Sequence, residues 1–76
     1  MNKVRREALA KISDSISDIS LQVEDLMNEE QEYLDNMPVS LQGGEKGETA
    51  SLAIENMQLA IDSLSEASNL LDEAAN

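Results

Sequence analysis

The chain has 76 residues, with 16 Asp or Glu against 5 Lys or Arg and a net charge of −11. It has no cysteine and no histidine, and Tyr33 is its one aromatic residue. This rules out disulfides, a Cys/His zinc site and catalysis that needs His or Cys, while the acidity opposes direct contact with nucleic acid or an anionic membrane.

A chain of this length makes one small domain and buries only about 60% of the surface its unfolded form exposes. Lacking aromatics, its core is expected to be Leu, Ile, Met and Ala packed between helices. Met1 to Lys11 is basic, but Ser13, Asp14 and Ser15 follow in place of an apolar signal core, so it does not read as a secretory leader. No stretch approaches the ~20 apolar residues of a membrane span. Together with the lack of cysteine, this makes the cytosol the expected location.

The first helix is predicted from Lys3 to about Asn36. Its apolar residues Leu9, Ile12, Ile16, Ile19, Val23, Leu26, Tyr33 and Met37 recur at alternating steps of three and four, with Glu30 as the one break. Such spacing lines one side of a helix, and at ~1.5 Å per residue the helix is roughly 50 Å long. Glu30 is either left in water where the partner helix splays or is a buried carboxylate that fixes register.

Residues 37–48 read as the connection. Pro38 disfavours helical geometry at Met37, and Gly43 and Gly44 offer positive φ for a turn. Met37, Val39 and Leu41 are expected to fold back and plug the open end of the helix pair. The second helix is predicted over residues 49–75, with Thr49 as a possible N-cap. A start at Gly44 would instead put Glu45 and Glu48 in the first turn, where the dipole favours acids, and would leave Gly47 inside the helix.

In the second helix, alanine recurs at 53, 60, 67 and 74 beside a seam of Ile54, Met57, Ile61, Leu64, Ser68 and Leu71. That is the pattern of a helix built to pack on another helix. The predicted fold is therefore all-α: an antiparallel two-helix hairpin. In that arrangement the cations Lys3, Arg5, Arg6 and Lys11 lie beside Glu66, Asp72 and Glu73 of the second helix. Leu21, Met27, Leu34, Leu52, Leu59 and Leu70 fall off the seam. Of these, Leu21, Leu52, Leu59 and Leu70 are taken as an oligomer face, on which two hairpins close into a homodimeric four-helix bundle.

Little in the sequence could carry chemistry. Serines are common, but no base is placed beside one, and the glycines form no phosphate-binding motif. The Glu-x-x-His pairs of helical di-metal sites are absent. Glu29, Glu30, Glu32 and Asp35 surround Tyr33 but lack the D-x-D-x-D-G loop of a calcium site. The expectation is a non-enzymatic protein without cofactor or metal. The acidic residues Glu29, Glu30, Glu32 and Asp35, with Tyr33, offer a docking site for a basic protein surface; the alternative is a solvated coat that keeps a small protein dispersed. Lys3, Arg5, Arg6 and Lys11 are candidate phosphate contacts, or they neutralise the end of the second helix.

The stretch E-E-Q-E-Y-L-D-N-M-P-V-S-L-Q-G-G-E-K-G-E, Glu29 to Glu48, resembles a group of small acidic proteins of Gram-positive bacteria and their phages. Their loop reads close to N-M-P-x-x-L-Q-G-S-E; here Gly44 stands in place of the usual serine. The resemblance implies phage or mobile-element cargo, a setting in which small acidic proteins act as inhibitors of host defence, such as anti-CRISPR proteins. Glu48 to Ile61 is similar to the second helix of helical-hairpin phage proteins that oligomerise and sequester cyclic-nucleotide immune signals. That likeness implies a nucleotide sponge, although Arg and Trp are absent from the stretch.

Overall fold

A computed structural model describes all residues 1–76. The chain is all-helical: α1 (Lys3–Asp35), the single turn α2 (Val39–Gln42) and α3 (Glu45–Ala74). The two long helices pack side by side into a rod with Cα extents of 58 × 14 × 12 Å. They run antiparallel, because Ser13 near the start of α1 meets Ser68 near the end of α3, while Met27 and Ile54 line one groove near the connection.

α1 begins at Asn2, whose side-chain oxygen accepts the Arg5 backbone N–H at 2.8 Å and satisfies one of the free donors of the first turn. It ends at Asn36, one residue before the Met37–Pro38 bond, as the steric demand of proline requires.

The connection is shorter than the predicted residues 37–48. A turn of helix fills Val39–Gln42, and α3 starts directly after Gly44, with Glu45 and Glu48 in its first turn. Thr49 is therefore a helical residue and not a cap. The glycines are not used for positive φ either: Gly43 and Gly44 sit at −87° and −86°. Gly47 is the glycine the fold requires. A Cβ there would overlap the backbone of Gln42, with the Gln42 Cα only 2.8 Å away, so α2 can fold down onto α3 only over a residue without a side chain.

The expected apolar plug is only partly present. Met37 is half-buried, but Val39 is 85% exposed and Leu41 also faces outward. Gln42 does the tying down instead. Its amide donates to the carbonyls of Leu34 at 3.3 Å and Met37 at 3.2 Å. The Leu34 oxygen lies in the last turn of α1 and also accepts the Met37 backbone N–H at 3.1 Å, and the Met37 oxygen lies just beyond that helix.

The seam of α3 is the predicted one: Ile54, Met57, Ile61, Leu64, Ser68 and Leu71 are all drawn toward α1, with Gly47 and Ala50 buried at its start. The seam of α1 differs from the prediction. The residues drawn inward are Leu9, Ser13, Ile16, Ser20, Val23, Met27, Glu30, Leu34 and Met37. Ile12, Ile19, Leu26 and Tyr33 are instead half out, at 50, 48, 58 and 49% exposure. The stripe is rotated by one position, and Glu30 lies on the seam and not at a break in it.

The rotated seam brings a polar pair together and sets small residues against larger ones at three levels. Ser13 pairs with Ser68; in the same register Ser20 lies level with Ile61, Leu34 with Gly47 and Glu30 with Ala50. At the Ser20–Ile61, Leu34–Gly47 and Glu30–Ala50 levels a small residue on one helix meets a larger one on the other, and between them Ile16 with Leu64 and Met27 with Ile54 fill the seam.

Candidate functional site

Numbering the seam in heptads abcdefg fixes where every other side chain lies. On α1, position a is Ser13, Ser20, Met27 and Leu34, and d is Leu9, Ile16, Val23 and Glu30. On α3, a is Gly47, Ile54, Ile61 and Ser68, and d is Ala50, Met57, Leu64 and Leu71. In an antiparallel pair the two e stripes share one side of the rod and the two g stripes share the other. The grooves confirm this: Ser17 and Ser65 line one, Gln31 and Gln58 another, both on the e side. Tyr33 shares a third with Lys46 and Thr49 on the g side.

The charge is divided sharply between the two sides. Of the 16 acidic residues, only Glu29 at c and Glu30 at d fall outside positions b, e and f. Apart from Glu45, which lines the g-side groove with Tyr33, the others lie on the e side and the outer edges of the rod. Repeats such as Asp18, Asp25 and Glu32 along α1, or Glu48, Glu55 and Asp62 along α3, form continuous acidic ridges.

The g side is built differently. Ile12, Ile19, Leu26 and Tyr33 stand in line on α1, and Ala53, Ala60, Ala67 and Ala74 stand beside them on α3. The neighbouring c positions add Ala8, Ser15 and Gln22 on α1 and Thr49, Asn56, Ser63 and Leu70 on α3. Carboxylates reach this side only toward the loop end, where Glu30 and Glu45 line the groove with Tyr33 and Lys46 and Glu29 stands at a c position; Arg5 lies at the other end.

This geometry redistributes the residues singled out from the sequence. Glu32 and Asp35 belong to the acidic side, and Asp35 accepts the Gln31 amide at 2.9 Å. Glu30 is half-buried on the seam, and Glu29 and Tyr33 belong to the other side, so the five do not form one patch. Nor do three carboxylates converge as they would around a metal ion.

Lys3, Arg5, Arg6 and Lys11 are all exposed and point in different directions from the first turns of α1. The expected bridges from these cations to Glu66, Asp72 and Glu73 are not formed. The sole ion pair is Lys3 Nζ to Glu7 Oε1 at 3.9 Å, within α1 and in water. With Ser13 opposite Ser68, α3 ends at about the level of Arg6, so Lys3 lies beyond it, while Lys11 is level with Leu70 but sits on the outer edge of α1.

The four leucines taken as an oligomer face are divided as well. Leu21 lines the e-side groove with Asn69, Leu59 lies in the groove with Gln31 and Gln58, and Leu52 is on the outer edge of α3. Only Leu70 sits on the g side.

That face is not legible in the sequence alone, because the spacing of Ile12, Ile19, Leu26 and Tyr33 suits the seam equally well. The available signal was the presence of three apolar-rich stripes on α1, where a two-helix seam uses two. Comparison with family models, curated proteins and solved structures returned no match. No helix is long and apolar enough to cross a membrane.

Proposed function

We propose that the chain is a non-enzymatic interaction protein that engages a basic protein surface through its acidic e side and outer edges, with two hairpins assembling as a four-helix bundle. The observation that carries this reading is the segregation of charge. A coat that served only to keep the protein dispersed would have no reason to leave one side of the rod almost uncharged. Confined to the other side and the edges, the same carboxylates sum to a field that steers a cationic partner toward one orientation. The phage setting implied by the loop resemblance supports a nucleic-acid-binding immune effector of the host as that partner, because such effectors present basic grooves.

The test is expression in a Gram-positive host carrying an active CRISPR system, followed by phage challenge. Wild type is expected to restore plaque formation, and the pair Asp25→Lys and Glu32→Lys to abolish it. Binding to the purified effector is expected to weaken by at least tenfold between about 0.05 and 0.5 M salt, as the Debye length shrinks. Equal protection by the charge-reversed protein would remove the acidic side from the mechanism.

A further inference from the structure

We propose that the g side, poor in charge along most of its length, is the surface on which a second copy of this chain docks, with the large stripe of each hairpin lying over the alanine stripe of the other. This deepens the proposed function, on whose two-hairpin assembly it rests, and places the contact away from Leu21, Leu52 and Leu59.

Three observations commit the face to a second copy. The first is charge. Two chains of net charge −11 repel wherever their acidic sides or edges meet, and the g side is the long surface that opposes the fewest carboxylates, with Glu29, Glu30 and Glu45 confined to its loop end beside Lys46. The second is incompleteness of the core. Three residues of 76 are buried in the single hairpin, and Ala50 is the only apolar one, whereas Ile12, Ile19, Leu26 and Tyr33 stand half out along one line. The third is area. The rod is 58 Å long and 14 Å wide between Cα atoms, so one side offers on the order of 800 Å² per partner, the size buried in stable complexes.

Shape selects the arrangement. The large stripe is entirely on α1 and the small stripe entirely on α3. A two-fold axis parallel to the rod places α1 of one copy over α3 of the other, so large side chains enter the space above alanines and the loop ends lie together. A two-fold axis across the rod would set large on large and small on small, and would leave a gap along the alanines. The interface is isologous, as a two-fold dimer requires.

Light scattering across a concentration series reads the assembly directly. Wild type is expected at twice the 8.3 kDa chain mass, Ile19→Asp at the single-chain mass, and Leu59→Asp, on the acidic side, still at twice. A wild type that remains monomeric into the millimolar range overturns the proposal, as does a dimer that survives Ile19→Asp or is lost on Leu59→Asp.

Because a dissociated hairpin can also lose helix, a second measurement uses intact dimers. The chain has no cysteine, so Ile19→Cys and Ala60→Cys can be mixed and oxidised. The mixed disulfide is expected to exceed either homodimer several-fold, since the large-over-small pairing brings those positions together. Preferential Ile19→Cys homodimers would overturn that pairing. Both readouts are made without a basic partner, so they stand or fall separately from the acidic-side test.

Discussion

Ser13 of α1 and Ser68 of α3 face each other across the hairpin with their hydroxyl oxygens 2.6 Å apart. Ser13 is one of the few buried residues in the molecule, and its hydroxyl also lies 3.4 Å from the Ser68 carbonyl. A polar pair at this point satisfies itself only in one register, because a slide by one turn would bury each hydroxyl against an apolar side chain. Truncating either serine leaves the other without its partner. Ser13→Ala and Ser68→Ala are each expected to cost about 1 kcal/mol in urea unfolding. The double variant is expected to cost less than the sum, with a coupling on the order of 0.5–1 kcal/mol; strict additivity would mean that the hydroxyls do not interact.

Gly47→Ala opposes two effects of known sign. Alanine inside a helix is favoured over glycine by about 1 kcal/mol. At Gly47, however, the added methyl meets the Gln42 backbone, which has no flexible end to move aside. The clash is expected to dominate and lower the thermal midpoint, with net destabilisation above about 1 kcal/mol. Gly43→Ala is the matched control: nothing lies within 4 Å of its Cβ position and its φ is −87°. It is expected to raise stability by about 0.4–1 kcal/mol through the unfolded chain. The opposite ordering of the two midpoints would place the α2–α3 contact elsewhere.

Gln42 holds the connection by donating to the carbonyls of Leu34 and Met37. Gln42→Ala is expected to cost about 1 kcal/mol and to speed hydrogen exchange at Leu41 and Gly44, whose N–H groups close the α2 turn, while the middle of α1 exchanges as before. Unchanged exchange at those amides would show that the turn is held by its backbone alone.

Salt should stabilise this protein. The one ion pair, Lys3 with Glu7, is exposed on both partners, so screening removes little attraction. Against this stands the mutual repulsion of a chain with net charge −11, which screening relieves. The thermal midpoint is expected to rise by several degrees between about 0.01 and 0.5 M NaCl. A fall would mean that attractive pairs outweigh the self-repulsion.

Much of the architecture can be read from the residues in order. Pro38 marks the end of α1, and the Ile54–Leu71 spacing marks the seam of α3, because each rests on local sterics or on one unambiguous stripe. Gln42 and Gly47 could not be read in the same way. Their roles depend on where α2 folds, and nothing local sets that. The acidic ridges were visible as composition, but Glu29, Glu30 and Tyr33 could be told apart from Glu32 and Asp35 only once the seam was known.

The sequence by itself determined that two long helices pair, that they run antiparallel and that the protein is strongly acidic, since helical periodicity and charge are sums over many residues and tolerate local ambiguity. The tertiary structure decided which face of α1 meets α3. That helix carries Leu9, Ile16 and Val23 flanked on one side by Ile12, Ile19, Leu26 and Tyr33 and on the other by Ser13, Ser20, Met27 and Leu34. Hydrophobicity alone favours the first flank. The second lies inside the hairpin, where Ser13 finds Ser68 and where Ser20 and Leu34 stand level with Ile61 and Gly47. The bulkier flank is thereby left exposed along the side of the rod that carries the fewest carboxylates.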